Sequence, residues 1–433
     1  MPSFRLSLRA IFGAPLFPRH PRVVSMLVLA IASAVSPSTD ATEPQLSFAE
    51  TLKIAVATSQ QIVSQRAMAD AASEMAVSAG ELPDPKLKAG VENVPTQGAD
   101  AWSLTRDFMT MSKIGLMQEF PREEKRRLKT ERALRDAERG TVAVEAITLA
   151  VERDAAMAWV ARHFAEDAER AISIQIAEAD LNATTVAAAY RAGRAPQGEL
   201  IAAQSTVVEL RNRATEAAAQ SKRARITLAR YIGAAAQMPL GDPPDFARLP
   251  DQVRYADVDA QPELRLARAQ ESIAAANAAV AGAARLPDWS VEVSYAVRGS
   301  PYSNMVSLMF SIDLPWSPGT RQEREHVAKL KELDAARAMR EDAQRTRAAE
   351  VDSMMTEWES ARTQAKRTES ELLPLAVQRR EAAFAAYRGG TGALSAVLDA
   401  RRALLDVELA LVTQRQAAAR AWAWLNFVVP LME

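Results

Sequence analysis

The sequence predicts a mainly α fold with a small β part: duplicated, long coiled-coil helical hairpins plus four strands for a membrane barrel. Three observations predict it. Alanine makes up roughly a fifth of the 433 residues and 25% of the chain is charged, a composition suited to long, closely packed helices. The chain repeats itself. Leu82-Pro83-Asp84 returns as Leu286-Pro287-Asp288, and Phe120-Pro121 returns as Leu314-Pro315. Ala189-Tyr190-Arg191-Ala192-Gly193 returns as Ala386-Tyr387-Arg388-Gly389-Gly390, in the same order and about 200 residues later each time. Finally, four short segments break the helical pattern with alternating apolar and small or charged residues.

Composition excludes several functions. There is no Cys, which removes thiolate metal sites, cysteine catalysis and an acylated N-terminal Cys. A net charge of −1 gives no basic footprint for nucleic acid. Only three His (His20, His163 and His326) are present, too few for a His-based metal or triad site. No cofactor is expected, and no nucleophile–base arrangement or Gly-rich phosphate loop suggests an enzyme.

Residues 1–34 are expected to be a signal peptide. Arg5, Arg9, Arg19 and Arg22 precede an apolar run from Val23 to Val35, and Ala32-Ser33-Ala34 offers a small-x-small cleavage site. The alternative is an N-terminal anchor helix. No later run reaches the roughly 18 apolar residues that a membrane helix needs, so any later hold on a membrane falls to strands.

The first repeat spans 35–233: a helix, strands within about 86–120, and a helical hairpin over about 122–233. Residues 234–261, rich in Pro, Ala and Asp, form a linker. The second repeat spans 262–433, with strands within about 289–315 and a hairpin over about 320–428. The first long helix should run from Arg122 to Ala192, broken only by Gly140. The second should run from Arg321 to Arg388, broken only by Pro374. Seventy helical residues extend about 100 Å, which needs a coiled-coil partner. The returning helix supplies one: Val397, Leu404, Leu411, Ala418 and Leu425 recur every seven residues, with Leu398, Leu405, Val412 and Ala419 beside them. The first repeat carries a weaker stripe at Leu200, Val207, Ala214 and Leu228.

Val291, Val293, Tyr295 and Val297 alternate with Ser290, Glu292, Ser294 and Ala296. Val306, Leu308, Phe310, Ile312 and Leu314 alternate with Met305, Ser307, Met309, Ser311 and Asp313. Leu87, Ala89 and Val91 alternate with Lys88, Gly90 and Glu92, and Ile114, Leu116 and Phe120 with Lys113, Gly115 and Glu119. Such strands suit a transmembrane barrel, or a soluble sheet half-buried against helices. Four strands cannot close a barrel, and open edges are too costly in lipid. Several copies must therefore pool their strands.

With these features in place, the chain resembles the TolC-type outer-membrane efflux proteins. The resemblance rests on LSFAETLKIAVATSQQI, LPDPKLKAGVENVP, KIGLMQEFPREEKRRLKTERA and YRGGTGALSAVLDARRALLDVELAL, which stand in order within residues 46–428. It implies a homotrimer in the outer membrane, with a twelve-stranded barrel continued by a helical tunnel across the periplasm. The implied partners are outer-membrane lipid, a periplasmic adaptor and an inner-membrane pump of the resistance-nodulation-division type. The resemblance also places a periplasmic gate near the helix turns. Asp399 and Glu199 match acidic positions there, while Ala396 replaces a further acid. Equally, both could be solvated helix-start residues favoured by the helix dipole. Tyr190, Arg191, Gly193, Tyr387, Arg388 and Gly390 become turn and adaptor-contact candidates.

KIGLMQEFPREEKRR looks more like members that serve heavy-metal pumps. Met109, Met111, Met117, Met305 and Met309 share strand parity with charged residues, so they are candidates to line the lumen, where thioethers suit soft cations such as Cu(I). The competing use of methionine is to fill irregular space. The expected cargo is a copper/silver or cobalt/zinc/cadmium cation. The competing function is a periplasmic coiled-coil scaffold or adaptor without a pore.

Overall fold

The computed structural model describes residues 45–249, 260–300 and 302–427. The expected signal peptide, part of the linker and the last six residues lie outside the described residues.

The first repeat opens with α1 (Phe48–Thr58) and α2 (Gln60–Ser78). Two serines divide what the pattern suggests is one helix. The Ser47 side chain accepts a hydrogen bond from the Glu50 amide at 3.1 Å, and that of Ser59 from the Ile62 amide at 3.4 Å. Each thus satisfies an otherwise orphaned donor. Strands β1 (Lys86–Glu92) and β2 (Met111–Phe120) follow. Next come α3 (Glu123–Arg191) and α4 (Gln197–Ile232). The second repeat gives α5 (Pro262–Ala283), β3 (Trp289–Arg298) and β4 (Met305–Ile312). It then gives α6 (Gln322–Arg367), α7 (Leu373–Arg388) and α8 (Leu394–Asn426).

The expected break at Gly140 is absent: α3 runs unbroken for 69 residues, about 100 Å. The glycine serves packing instead. A Cβ placed on it would lie 3.0 Å from the Cα of Ala69 in α2, so its absence lets the two helices approach closely. At Pro374 the helix also continues, through a single π turn over Thr368–Leu372. Proline lacks the N–H for the carbonyl four residues back and crowds it. The wider turn just ahead accommodates both defects.

Helices α3 and α4 form one antiparallel hairpin, and α6–α7 with α8 the other, while α2 lies along α3 and α5 along α6. The main core sits midway along α3 and the α6–α7 helix, where the C-terminal ends of α4 and α8 meet them. Trp159, Val160 and Ala155 of α3 meet Leu228 of α4, Trp358 of α6, and Ala419, Ala423 and Leu425 of α8. Leu46 pairs with Leu240 in a parallel bridge beside this core.

The four strands form one antiparallel sheet in the order β1-β2-β3-β4. The two repeats are joined through β2 and β3, which pair from Met111↔Arg298 to Phe120↔Trp289.

Candidate channel surfaces

Alternation along the strands sorts the sheet into two faces. One face carries the row Leu87–Leu116–Val293–Leu308 and, next to it, Ala89–Ile114–Tyr295–Val306. In a soluble half-buried sheet these apolar side chains would be covered. Here they are open, with Val306 73% and Phe310 66% exposed. At one end Phe120 stacks on Trp289 with ring centroids 4.4 Å apart, and Trp316 beyond β4 is 90% exposed.

The opposite face is polar and ion-paired. Lys88 lies 2.6 Å from Glu292, and Lys113 bridges Glu292 at 3.4 Å and Glu92 at 3.3 Å. Lys86 pairs with Glu119 at 2.5 Å. Ser290, Glu292, Ser294 and Ala296 are buried among these long side chains. A Cβ on Gly115 would come within 2.8 Å of the Ser294 Cβ. The small residues thus make room for the charged ladder.

Met111, Met117, Met305 and Met309 lie on this polar face. Met117 and Met309 flank Glu292 in one cross-strand row, Met305 faces Ala296, and Met111 stands between Glu92 and Arg298. Met109 precedes β2, outside the strands. The register therefore spreads the four strand methionines along the face without converging them, and Met109 lies off it. Among the described residues, no group of three His, Asp or Glu side chains could hold a metal.

The hairpin turns carry the other candidates. Gly193 (φ 66°) and Gly390 (φ 73°) adopt the left-handed conformation that ends each long helix. Their amides bond the carbonyls of Tyr190 at 2.9 Å and Tyr387 at 3.1 Å. Arg191 donates to the Ala187 carbonyl at 3.3 Å, and Arg388 lies over the Phe384 ring at 5.9 Å. The two turns come together. Val186, Ala203, Leu394 and Val397 form a buried cluster with Tyr387 packed against it. Burial, and then the charge and hydrogen bond of Glu199, push the Tyr387 hydroxyl above its ordinary pKa. Glu199 of one hairpin thus meets Tyr387 of the other. Asp399 stands exposed on the second turn of α8, with no ion pair among the described residues.

A further set of residues went unnoticed in the sequence pattern. Arg162, 2% exposed, donates to Glu166 at 2.7 Å and to the carbonyls of Ala236 and Met238, each at 2.9 Å. Trp358, Arg362 and Trp422 donate to the carbonyls of Phe246, Ala247 and Arg248 at 2.9–3.0 Å. Together they pin the segment after α4 across three long helices. The signal available was one arginine within the apolar stretch Met157–Phe164.

No helix among the described residues is long and apolar enough to cross a membrane. Comparison with known proteins bears on the exposed sheet. Residues 258–429 match the family model described as outer membrane efflux protein. A search of curated proteins finds no match. Solved structures share the fold. The outer membrane protein VceC from Vibrio cholerae aligns with a TM-score of 0.72 at 17% identity, over 88% of this chain and 95% of that one. A membrane protein from Pseudomonas aeruginosa aligns at 0.76 and 16% identity, over 88% and 90%. The CmeC outer membrane channel from Campylobacter jejuni aligns at 0.73 and 12% identity, over 88% and 86%.

Proposed function

We propose that the protein is the outer-membrane channel subunit of a tripartite efflux system. The observation that carries this reading is the four-stranded sheet. It turns a continuous apolar face outward at the end of helices about 100 Å long. Such a face requires lipid, and a barrel in lipid must close. Three protomers would supply twelve strands, with the Lys88–Glu292–Lys113 ladder lining the lumen and the helices extending into the periplasm. The family-model match to the second repeat and the fold shared with outer-membrane channels support the same reading. A periplasmic adaptor would engage the turns around Tyr190, Arg191, Tyr387 and Arg388, linking the channel to an inner-membrane pump. Asp399, exposed and unpaired, and Glu199 are the gate candidates, since a ring of acids near an axis attracts cations.

Purified protein should run as a heat-modifiable oligomer and produce discrete pores in planar bilayers. Oligomers that bind lipid but never conduct would favour the pore-free scaffold instead.

The cargo assigned in this reading is a heavy-metal cation. Its support is the placement of Met111, Met117, Met305 and Met309 on the ladder face, where thioethers can exchange soft cations in passing. The dispersed methionines fit weak transient contact rather than a resident ion. Deletion of the gene should lower tolerance to copper, silver, cobalt, zinc or cadmium salts. Unchanged metal tolerance with raised sensitivity to drugs or dyes would reject the metal cargo and leave the channel intact.

A further inference from the structure

The chain after α4 is fastened to the long helices at two places. Arg162 holds the carbonyls of Ala236 and Met238, and Trp358, Arg362 and Trp422 hold those of Phe246, Ala247 and Arg248. Between the two fastenings comes Gly241-Asp242-Pro243-Pro244-Asp245. The prolines offer no amide to a helix beneath them and hold φ at about −65°. The segment does not close down on the helices. A cleft of about 660 Å³ opens between Pro243, Phe246 and Ala247 on one side and α3, α6 and α8 on the other, a volume typical of small-molecule sites.

The cleft is lined by flat apolar surfaces. Ala365 of α6 and Ala418 of α8, both buried, leave its floor low. Phe164 of α3 and Phe246 line it with ring centroids 6.2 Å apart. His163 adds a third ring, stacked on Trp159 at 5.3 Å. Burial, outweighing the pull of Asp167, lowers the His163 pKa, so at neutral pH this ring presents an uncharged surface.

The acids of the cleft are already engaged. Asp167 pairs with Arg170, and Glu369 with Arg415 at 2.7 Å. The cations are not all engaged. Arg362 and Lys366 stand one turn apart on α6 and so share a face. The Arg362 guanidinium lies 4.6 Å over the Trp358 ring and uses one N–H on the Ala247 carbonyl, at 3.0 Å, which leaves others to donate. The Lys366 ammonium makes no ion pair or hydrogen bond among the described residues. Two cations beside three rings are complementary to a planar anion.

We propose that this cleft binds a small planar aromatic carboxylate. The ring lies among Phe164, Phe246 and His163, and the carboxylate accepts hydrogen bonds from Lys366 and Arg362. A ligand there touches the segment and all three helices at once, so it braces the segment against them. An aliphatic anion would forgo the ring contacts, and an aromatic cation would be repelled by Lys366 and Arg362. The site stands apart from the sheet and the hairpin turns, and it does not rest on the channel reading.

The test uses the full chain, its oligomeric state checked by heat-modifiable migration, with naphthoate as the probe. Calorimetric titration should show saturable binding, and saturation should raise the thermal unfolding midpoint by a few degrees. Lys366→Glu should weaken binding by about tenfold or more, the usual contribution of a charge-assisted hydrogen bond, while Lys366→Arg should retain it. Ala247→Trp, at an exposed position, should fill the cleft and abolish binding with Lys366 untouched. Naphthylmethanol, the uncharged analogue, should bind wild type and Lys366→Glu equally weakly. Naphthoate affinities that ignore both Lys366→Glu and Ala247→Trp would overturn the site. So would an uncharged analogue that binds as tightly, or no saturable binding at all. Naphthoate binding by protein that never conducts would uphold the site and overturn the channel reading.

Discussion

Leu308→Arg should abolish assembly in the outer membrane, while Ser307→Arg, one position away, should assemble normally. Leu308 is 60% exposed and lies mid-strand in the row Leu87–Leu116–Val293–Leu308, on the apolar face. An arginine at the midplane of a barrel's lipid face costs about 2–4 kcal/mol. The proposed trimer would carry the substitution three times, so the penalty would reach about 6–12 kcal/mol, comparable with the whole stability of a typical domain. Ser307 points the other way. It faces Ser294, with Gly115 and then Lys88 farther along the row. An arginine there enters the ladder of Lys and Glu side chains, where water and carboxylates satisfy it. The measurement is the amount of heat-modifiable oligomer in outer-membrane fractions. Normal assembly of Leu308→Arg together with failure of Ser307→Arg would mean that the two faces are assigned the wrong way round.

That two-faced sheet was the most legible part of the sequence. Period-two alternation is local, so Val291, Val293, Tyr295 and Val297 declare a common face without knowledge of their neighbours. Strand order is not local. The joining of β2 to β3, across about 170 residues of chain, follows from how the two repeats pack, and no local pattern encodes it. The methionines illustrate both limits. Parity placed all five on one face, but Met109 falls before β2, and only the register showed that Met117 and Met309 flank Glu292 while Met111 stands apart. Gly140 misled for a physical reason. Glycine in a helix costs about 1 kcal/mol, so it suggests a break, yet here it is what lets α2 reach α3. Glu199 and Tyr387 were each singled out by their own turn. Their meeting depends on one hairpin lying against the other.

Arg162 left only the faint signal of one arginine in an apolar stretch, because an arginine in a helix is ordinarily a solvated charge. Arg162→Met should destabilise the protein more than any surface charge change, by about 3–5 kcal/mol, the usual cost of breaking a buried ion pair from one side. Methionine matches the aliphatic stem but leaves the Ala236 and Met238 carbonyls without their donor. Glu166 would retain only Arg225, at 3.0 Å. The consequence spreads, because the turn after α4 leads into the Leu240–Leu46 bridge and the segment pinned by Trp358, Arg362 and Trp422. Burial alone would raise the Glu166 pKa, but hydrogen bonds from Arg162 and Arg225 outweigh it and hold the pKa below the ordinary 4.5. The stability this carboxylate contributes is therefore present above its unfolded pKa and lost as pH falls through the lower, folded value. Thermal unfolding of the detergent-solubilised protein should show a large deficit for Arg162→Met at pH 7. The deficit should narrow on acidification as wild type surrenders the Glu166 contribution. Arg225→Met, whose side chain is 39% exposed, should cost much less. Equal costs for the two arginines, or a deficit indifferent to pH, would show that the buried guanidinium does not fasten the segment to α3.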